Sequence, residues 1–210
     1  MDTDFDGVAR PYDFISRLVF GDALVRAQVS LLSQILPDSS ILIVGGGTGW
    51  ILEEITKIHE SGLEIIYVES SPKMIELSKK RSCKNNTVTF ITARIEDYQT
   101  EKLFDIIITP FFFDLFKKDK IEFLFSGLNE KLRKDGLWFY TDFIPSKYQT
   151  KIWQKLLLKT MYLFFGILSK VEAFELVNMD FYFAEKYREV SKGWFYGKFI
   201  RSISYRKIML

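Results

Sequence analysis

The chain has 210 residues, 48% hydrophobic and 27% charged, with a formal net charge of +2. That length and balance fit one globular domain with a sizeable core and exclude a disordered chain. The near-neutral charge leaves no phosphate-binding footprint, so nucleic acid is not an expected partner. A lone cysteine, Cys83, and a lone histidine, His59, exclude an intrachain disulfide and an ordinary His/Cys zinc site.

Met1 to Gly7 is acidic and polar, unlike a secretory signal. A helical region is expected from about Pro11 to Leu36, because Leu24, Gln28, Leu32 and Ile35 lie at helical spacing. Pro37-Asp38-Ser39-Ser40 ends it. Strands and helices then alternate. Apolar runs at Ile41–Val44, Leu63–Val68, Val88–Ile91, Asp105–Thr109 and Leu137–Thr141 read as strands. A helix is expected to start near Gly49. Ser70-Ser71-Pro72 is a second helix start. Ile121, Leu124, Leu128 and Leu132 mark a third helical face, closed by Asp135-Gly136. Alternation of this kind implies parallel pairing with right-handed crossovers and helices on both faces of the sheet.

After Pro145 a long apolar and aromatic helical stretch runs to about Leu168. It is broken by Gln154, Lys155 and Lys159, so it falls short of the ~18 apolar residues of a membrane span. Tyr187–Lys192 and Gly197–Lys207 read as a closing hairpin around Gly193–Gly197. The basic residues there, Lys186, Arg188, Lys192, Lys198, Arg201, Arg206 and Lys207, are expected on a solvated strand face. The expected plan is a single domain: a helical cap (1–38), a cofactor-binding core (39–143), a helical insert or lid (146–185) and terminal strands (186–210). A cytoplasmic location is expected. Peripheral membrane contact and oligomeric state stay open.

The central motif is Ile41-Leu42-Ile43-Val44-Gly45-Gly46-Gly47-Thr48-Gly49, a strand entering a glycine loop that opens a helix. Without Cβ atoms the loop turns tightly and lets a ligand reach the backbone. N–H groups at a helix start favour an anionic group. The spacing is G-x-G-x-G; the last glycine of the dinucleotide fingerprint would fall on Trp50. The second strand ends at Glu69, where an acid can accept from vicinal ribose hydroxyls.

Ile41–Gly49, with Glu69-Ser70-Ser71-Pro72-Lys73-Met74 after it, resembles the class I S-adenosylmethionine (SAM)-dependent methyltransferases. The resemblance extends through Phe104–Ile108 to Leu128–Phe143. It implies a Rossmann-like, mostly parallel seven-stranded sheet with a C-terminal antiparallel hairpin. It implies SAM as cofactor, with Gly45, Gly46 and Gly47 against its methionine part and Gly49 opening the helix. Glu69 would hold the ribose, with Ser70 and Met74 near the nucleoside. Arg94 and Ile95 would lie at the adenine, and Thr109 would face the methyl-transfer region.

Two positions depart from the family pattern. Ile43 stands where an acid commonly helps anchor the cofactor's amino group. Arg94, donor-only, stands where an acid often accepts from adenine, a task Glu96 or Asp97 could take over.

Thr109-Pro110-Phe111-Phe112 is a poor match to the Asn/Asp-Pro-Pro-Tyr motif of amine methylation, and Phe111–Phe113 reads better as an apolar wall, of which some rings, about two of the three, are expected to be plain core. Tyr12-Asp13-Phe14 with Arg17-Leu18 weakly resembles the start of ubiquinone and menaquinone C-methyltransferases. The expected partner is therefore a small, lipophilic or aromatic acceptor. Displacement at an activated methyl needs alignment and exclusion of water more than acid–base groups. Should a proton have to leave the acceptor, Asp114 and Tyr12 are the first candidates, then Asp142 and Tyr182. Two rival readings remain. One is a SAM-fold protein that binds without catalysis. The other is a short-chain dehydrogenase, suggested by Ser169, Tyr182 and Lys186, although its glycine motif fails at Glu53.

Overall fold

A computed structural model describes residues 19–145, 154 and 176–208. The expected helical start at 11–18 and most of the expected insert, 146–153 and 155–175, lie outside the described residues. The elements are α1 (Ala23–Leu32), β1 (Ser40–Val44), α2 (Trp50–Thr56), β2 (Ser61–Glu69), α3 (Pro72–Ser78), β3 (Asn85–Thr92), β4 (Phe104–Pro110), α4 (Lys118–Lys131), β5 (Leu132–Phe143), a one-turn α5 (Asp180–Phe183), β6 (Tyr187–Phe195) and β7 (Ile200–Lys207). Short 3₁₀ turns lie at Ile95–Asp97 and Phe113–Leu115.

The seven strands form one sheet in the order β3-β2-β1-β4-β5-β7-β6. The first five are parallel, and β7 runs antiparallel to both β5 and β6. All five residues of β1 are buried, as befits a central strand covered on both faces. Successive side chains point to opposite faces. Leu42, Val44, Ile107 and Trp138 pack with Ile121, Leu124, Phe125 and Leu128 of α4. Ile41, Ile43, Ile106 and Phe139 pack with α1, α2 and α3 through Leu31, Leu32, Ile51, Ile55 and Ile75.

At the N-terminal end of the sheet Asp105 ties β1 to β4. Its Oδ2 accepts from Ser40 N and Ser40 Oγ, both at 2.8 Å, and its Oδ1 from Arg133. Partial burial opposes its charge, yet these donors hold the carboxyl below its ordinary range.

The Ser-Pro start is observed: Ser71 Oγ accepts from Met74 N at 3.2 Å, with Pro72 first in α3. Two boundaries differ from expectation. Asp135-Gly136 does not close α4, which ends at Lys131; the pair bends β5, with Asp135 at φ 58°. The hairpin turn lies later than expected, because Gly193-Trp194-Phe195 stay in β6. Tyr196, Gly197 and Lys198 take positive φ, and Phe199 N donates back to Phe195 O and Tyr196 O, both at 3.1 Å. Arg201 also departs from the expected solvated face. It is 4% exposed, packed against the Tyr140 ring and paired with Asp180. No helix among the described residues is long and apolar enough to cross a membrane.

Candidate active site

The strand order reverses at β1, with β2 on one side and β4 on the other, so the loops leaving them diverge and open a crevice. The cleft there has about 990 Å³ between its walls, open mouth included. A crevice at such a switch point is where small ligands bind in open α/β sheets.

Its floor is the glycine loop. Gly45 N donates to Val68 O at 2.9 Å and Tyr67 Oη to Gly47 O at 3.0 Å, which pins the loop onto β2. Gly46 has no room for a side chain, because a Cβ would stand 2.4 Å from the Tyr67 hydroxyl. Gly47, at φ +62°, faces open space: a Cβ there would meet no protein atom within 4 Å. Gly49 has a different task. It caps α2 at φ +77°, and a Cβ would collide with Ser78 of α3 at 2.5 Å. It does not line the cleft.

Glu69, at the end of β2, is 7% exposed and lines the cleft. Its Oε2 accepts from Gly47 N at 3.2 Å, and its Oε1 accepts from Ser71 N at 3.0 Å and Ser70 Oγ at 3.4 Å. Burial pushes the carboxyl above its ordinary value, while the N–H donors of Ser71 and Gly47 pull the other way. Oε2 takes one donor here, so it keeps a lone pair that can accept from a ligand hydroxyl. The same bonds make it a brace for the loop.

Ser70, Met74, Arg94 and Ile95 line the cleft with Gly45, Gly46 and Gly47, so eight of the ten expected cofactor residues come together. Glu96 lines it too and pairs with Lys120, whereas Asp97 pairs with Arg94 at 3.1 Å and lies outside the lining. Of the two acids that could replace an adenine acceptor, only Glu96 reaches the cleft.

Thr109, the tenth expected residue, is fully buried below the cleft. Its Oγ1 accepts from Trp138 Nε1 at 2.9 Å, and the lining at this point is Pro110, Phe111 and Phe112. The aromatic wall is real for Phe111 and Phe112, joined by Phe116, while Phe113 is core. Gln28 of α1 also lines the cleft and was not among the expected site residues. Its signal in the sequence is a carboxamide within an otherwise apolar stripe. Ile43 is wholly buried against the α1–α3 face. Gln28 thus brings polar groups to a cleft that lacks an acid at position 43.

Asp114 does not line the cleft. It is buried beside Asp142, whose carboxylate receives the N–H groups of Phe143, Asp114 and Phe113. Burial, then the charge of Asp142, drives Asp114 well above its ordinary value; burial raises Asp142 to about 7 despite those donors and Arg201. Tyr182 packs against Phe125 at 5.5 Å, away from the cleft lining. Tyr12 and Ser169 lie outside the described residues.

The methyltransferase-domain family matches residues 41–136, which span the cleft's floor and both flanking strands. The chain has the fold of the class I methyltransferases. The fold of this domain recurs in DhpI solved with S-adenosylhomocysteine: TM-score 0.67, 14% identity, covering 98% of this chain and 94% of that one. It recurs in the magnesium protoporphyrin IX methyltransferase ChlM of Synechocystis with the same ligand (0.64, 14%, 88% and 81%). The plantazolicin methyltransferase BpumL, solved with a monoazolic desmethyl substrate analogue and S-adenosylhomocysteine, is also similar (0.64, 15%, 97% and 95%). No curated protein sequence matches.

Proposed function

We propose that this domain methylates a small, lipophilic or aromatic acceptor with SAM bound in the glycine-loop cleft. The observation that carries the reading is the Glu69 carboxylate bonded to Gly47 N in a cleft that Phe111, Phe112 and Phe116 also line. Glu69 would accept from the ribose hydroxyls, Ile95 and Met74 would bound the nucleoside, and Gly47 would admit the amino-acid portion close to the backbone. Gln28 would hydrogen-bond that portion's polar end. SAM supplies a sulfonium-activated methyl, so the protein's task is to align the acceptor and exclude water. The phenylalanine wall supplies both. Asp114, pushed to its neutral form, is suited to donate a hydrogen bond rather than take a proton.

Calorimetric titration with S-adenosylhomocysteine, SAM and NADH tests the cofactor. Saturable binding of the first two, with none for NADH, is expected; NADH binding alone would overturn the reading. Methyl-labelled SAM incubated with simple phenols, hydroquinones and aromatic acids tests transfer. Tight cofactor binding with no label transferred to any of them would favour a non-catalytic binding protein.

A further inference from the structure

Next to the aromatic wall lies a buried polar cluster in which some side-chain atoms have no hydrogen-bond partner among the described residues. Arg201 stands near the start of β7, paired with Asp142 across the β5–β7 register, at the same edge of the sheet as the glycine loop. Nη1 of Arg201 donates to Asp180 Oδ1 at 2.6 Å, and the Tyr140 ring lies 5.4 Å from the guanidinium carbon. The Tyr140 hydroxyl also hydrogen-bonds the side chain, yet Nε and Nη2 are buried with no acceptor among the described residues. These two donors share one edge of the guanidinium plane, the edge whose spacing matches the two oxygens of a carboxylate. Buried donors of this kind are rarely left unpaired in folded proteins.

A second group points the same way. Asp114 Oδ1 is likewise buried without a partner. Asp114 and its preceding residue Phe113 donate their N–H groups to Asp142, and both follow directly on the cleft wall Phe111-Phe112. Phe111 packs on Phe143, the neighbour of Asp142, at 4.9 Å. The cluster therefore adjoins the wall. Burial pushes Asp114 and Asp142 towards their neutral forms, so neither is a full counter-ion for Arg201.

We propose that Arg201 anchors the acceptor and that the acceptor bears a carboxylate, gripped through Nε–H and Nη2–H. This rests on the cleft being the cofactor site. A phosphate dianion fits less well, because Asp180 already opposes one charge to the guanidinium.

The test is calorimetry on the full chain, with S-adenosylhomocysteine first, then benzoate, benzamide and phenylphosphonate on the loaded protein. Benzoate is expected to bind at least about tenfold more tightly than benzamide. Arg201→Lys keeps the charge but not the fork. It should lose at least about tenfold in benzoate affinity while its affinity for S-adenosylhomocysteine stays within about twofold. In the unmodified protein, the Arg201 Nε–H resonance should shift on benzoate addition, a readout that needs no variant. Equal binding of acid and amide, preference for phenylphosphonate, no benzoate binding, or an unmoved Arg201 resonance overturns the proposal. Should S-adenosylhomocysteine not bind, the cofactor reading fails by itself, and benzoate is titrated against the free protein.

Discussion

Two glycines two positions apart should lose different properties on the same substitution, Gly49 mainly stability and Gly47 mainly binding. In Gly49→Ala the new Cβ would stand 2.5 Å from Ser78 Cβ and 2.7 Å from Ser78 Cα, at φ +77°. The positive φ costs about 1–2 kcal/mol, and forcing α2 from α3 about 1–3 kcal/mol more. The sum, roughly 2–5 kcal/mol, is a large share of the about 5–15 kcal/mol that holds a domain together. For a chain of this size the melting temperature should fall by roughly 4–20 °C. In Gly47→Ala only the φ penalty of about 1–2 kcal/mol applies, because no protein atom lies within 4 Å of the new Cβ. That methyl would instead occupy cofactor space and should weaken S-adenosylhomocysteine binding by about 10–100-fold. Gly127→Ala, in α4 with open space around it, is the control and should gain about 0.5–1 kcal/mol. Thermal unfolding and calorimetry on the three variants decide the matter. If Gly47→Ala melts as early as Gly49→Ala, or binds S-adenosylhomocysteine normally, the assignment of these two glycines is wrong.

Glu69→Gln should lower affinity for S-adenosylhomocysteine by about 10–100-fold; in the unsubstituted protein the affinity should decline as pH falls through the raised Glu69 pKa, since the diol needs the carboxylate. Asp142 is raised from 3.8 to about 7, so between those pH values the unfolded chain holds fewer protons than the folded one and stability falls as pH rises. At about 1.4 kcal/mol per unit the loss is roughly 4 kcal/mol at most. Asp142→Asn should flatten the decline in melting temperature from pH 5 to pH 8, and an unchanged slope would remove Asp142 as its cause. Thr109→Val leaves the buried Trp138 N–H without its acceptor and should cost about 1–3 kcal/mol in denaturant unfolding; a cofactor affinity that fell instead would return Thr109 to the cleft.

Local chemistry made much of the domain legible. Ile41–Val44 is apolar throughout because the strand is covered on both faces, and that pattern survives in any reading of the chain. Ser71-Pro72 marks a helix start through one hydroxyl and one fixed φ, both properties of those residues alone. Gly45, Gly46, Gly47 and Glu69 were legible as a candidate site, and they line one cleft, because the loop and the following strand end are joined by a short, regular β-α-β connection. Asp135-Gly136 misled because the same dipeptide serves a helix end and a strand bend equally well.

Composition and local spacing therefore determined the alternating strand–helix plan, the glycine floor and the acid at its rim, since each depends on residues close together in the chain. Tertiary packing alone decided what becomes of groups whose neighbours come from afar. Gln28 reaches the cleft from α1, Thr109 turns to Trp138, and Arg201 leaves solvent for a cluster with Asp142 and Asp180. Burial and partner are set by which strands lie alongside, and no window of sequence contains both sides of such a contact.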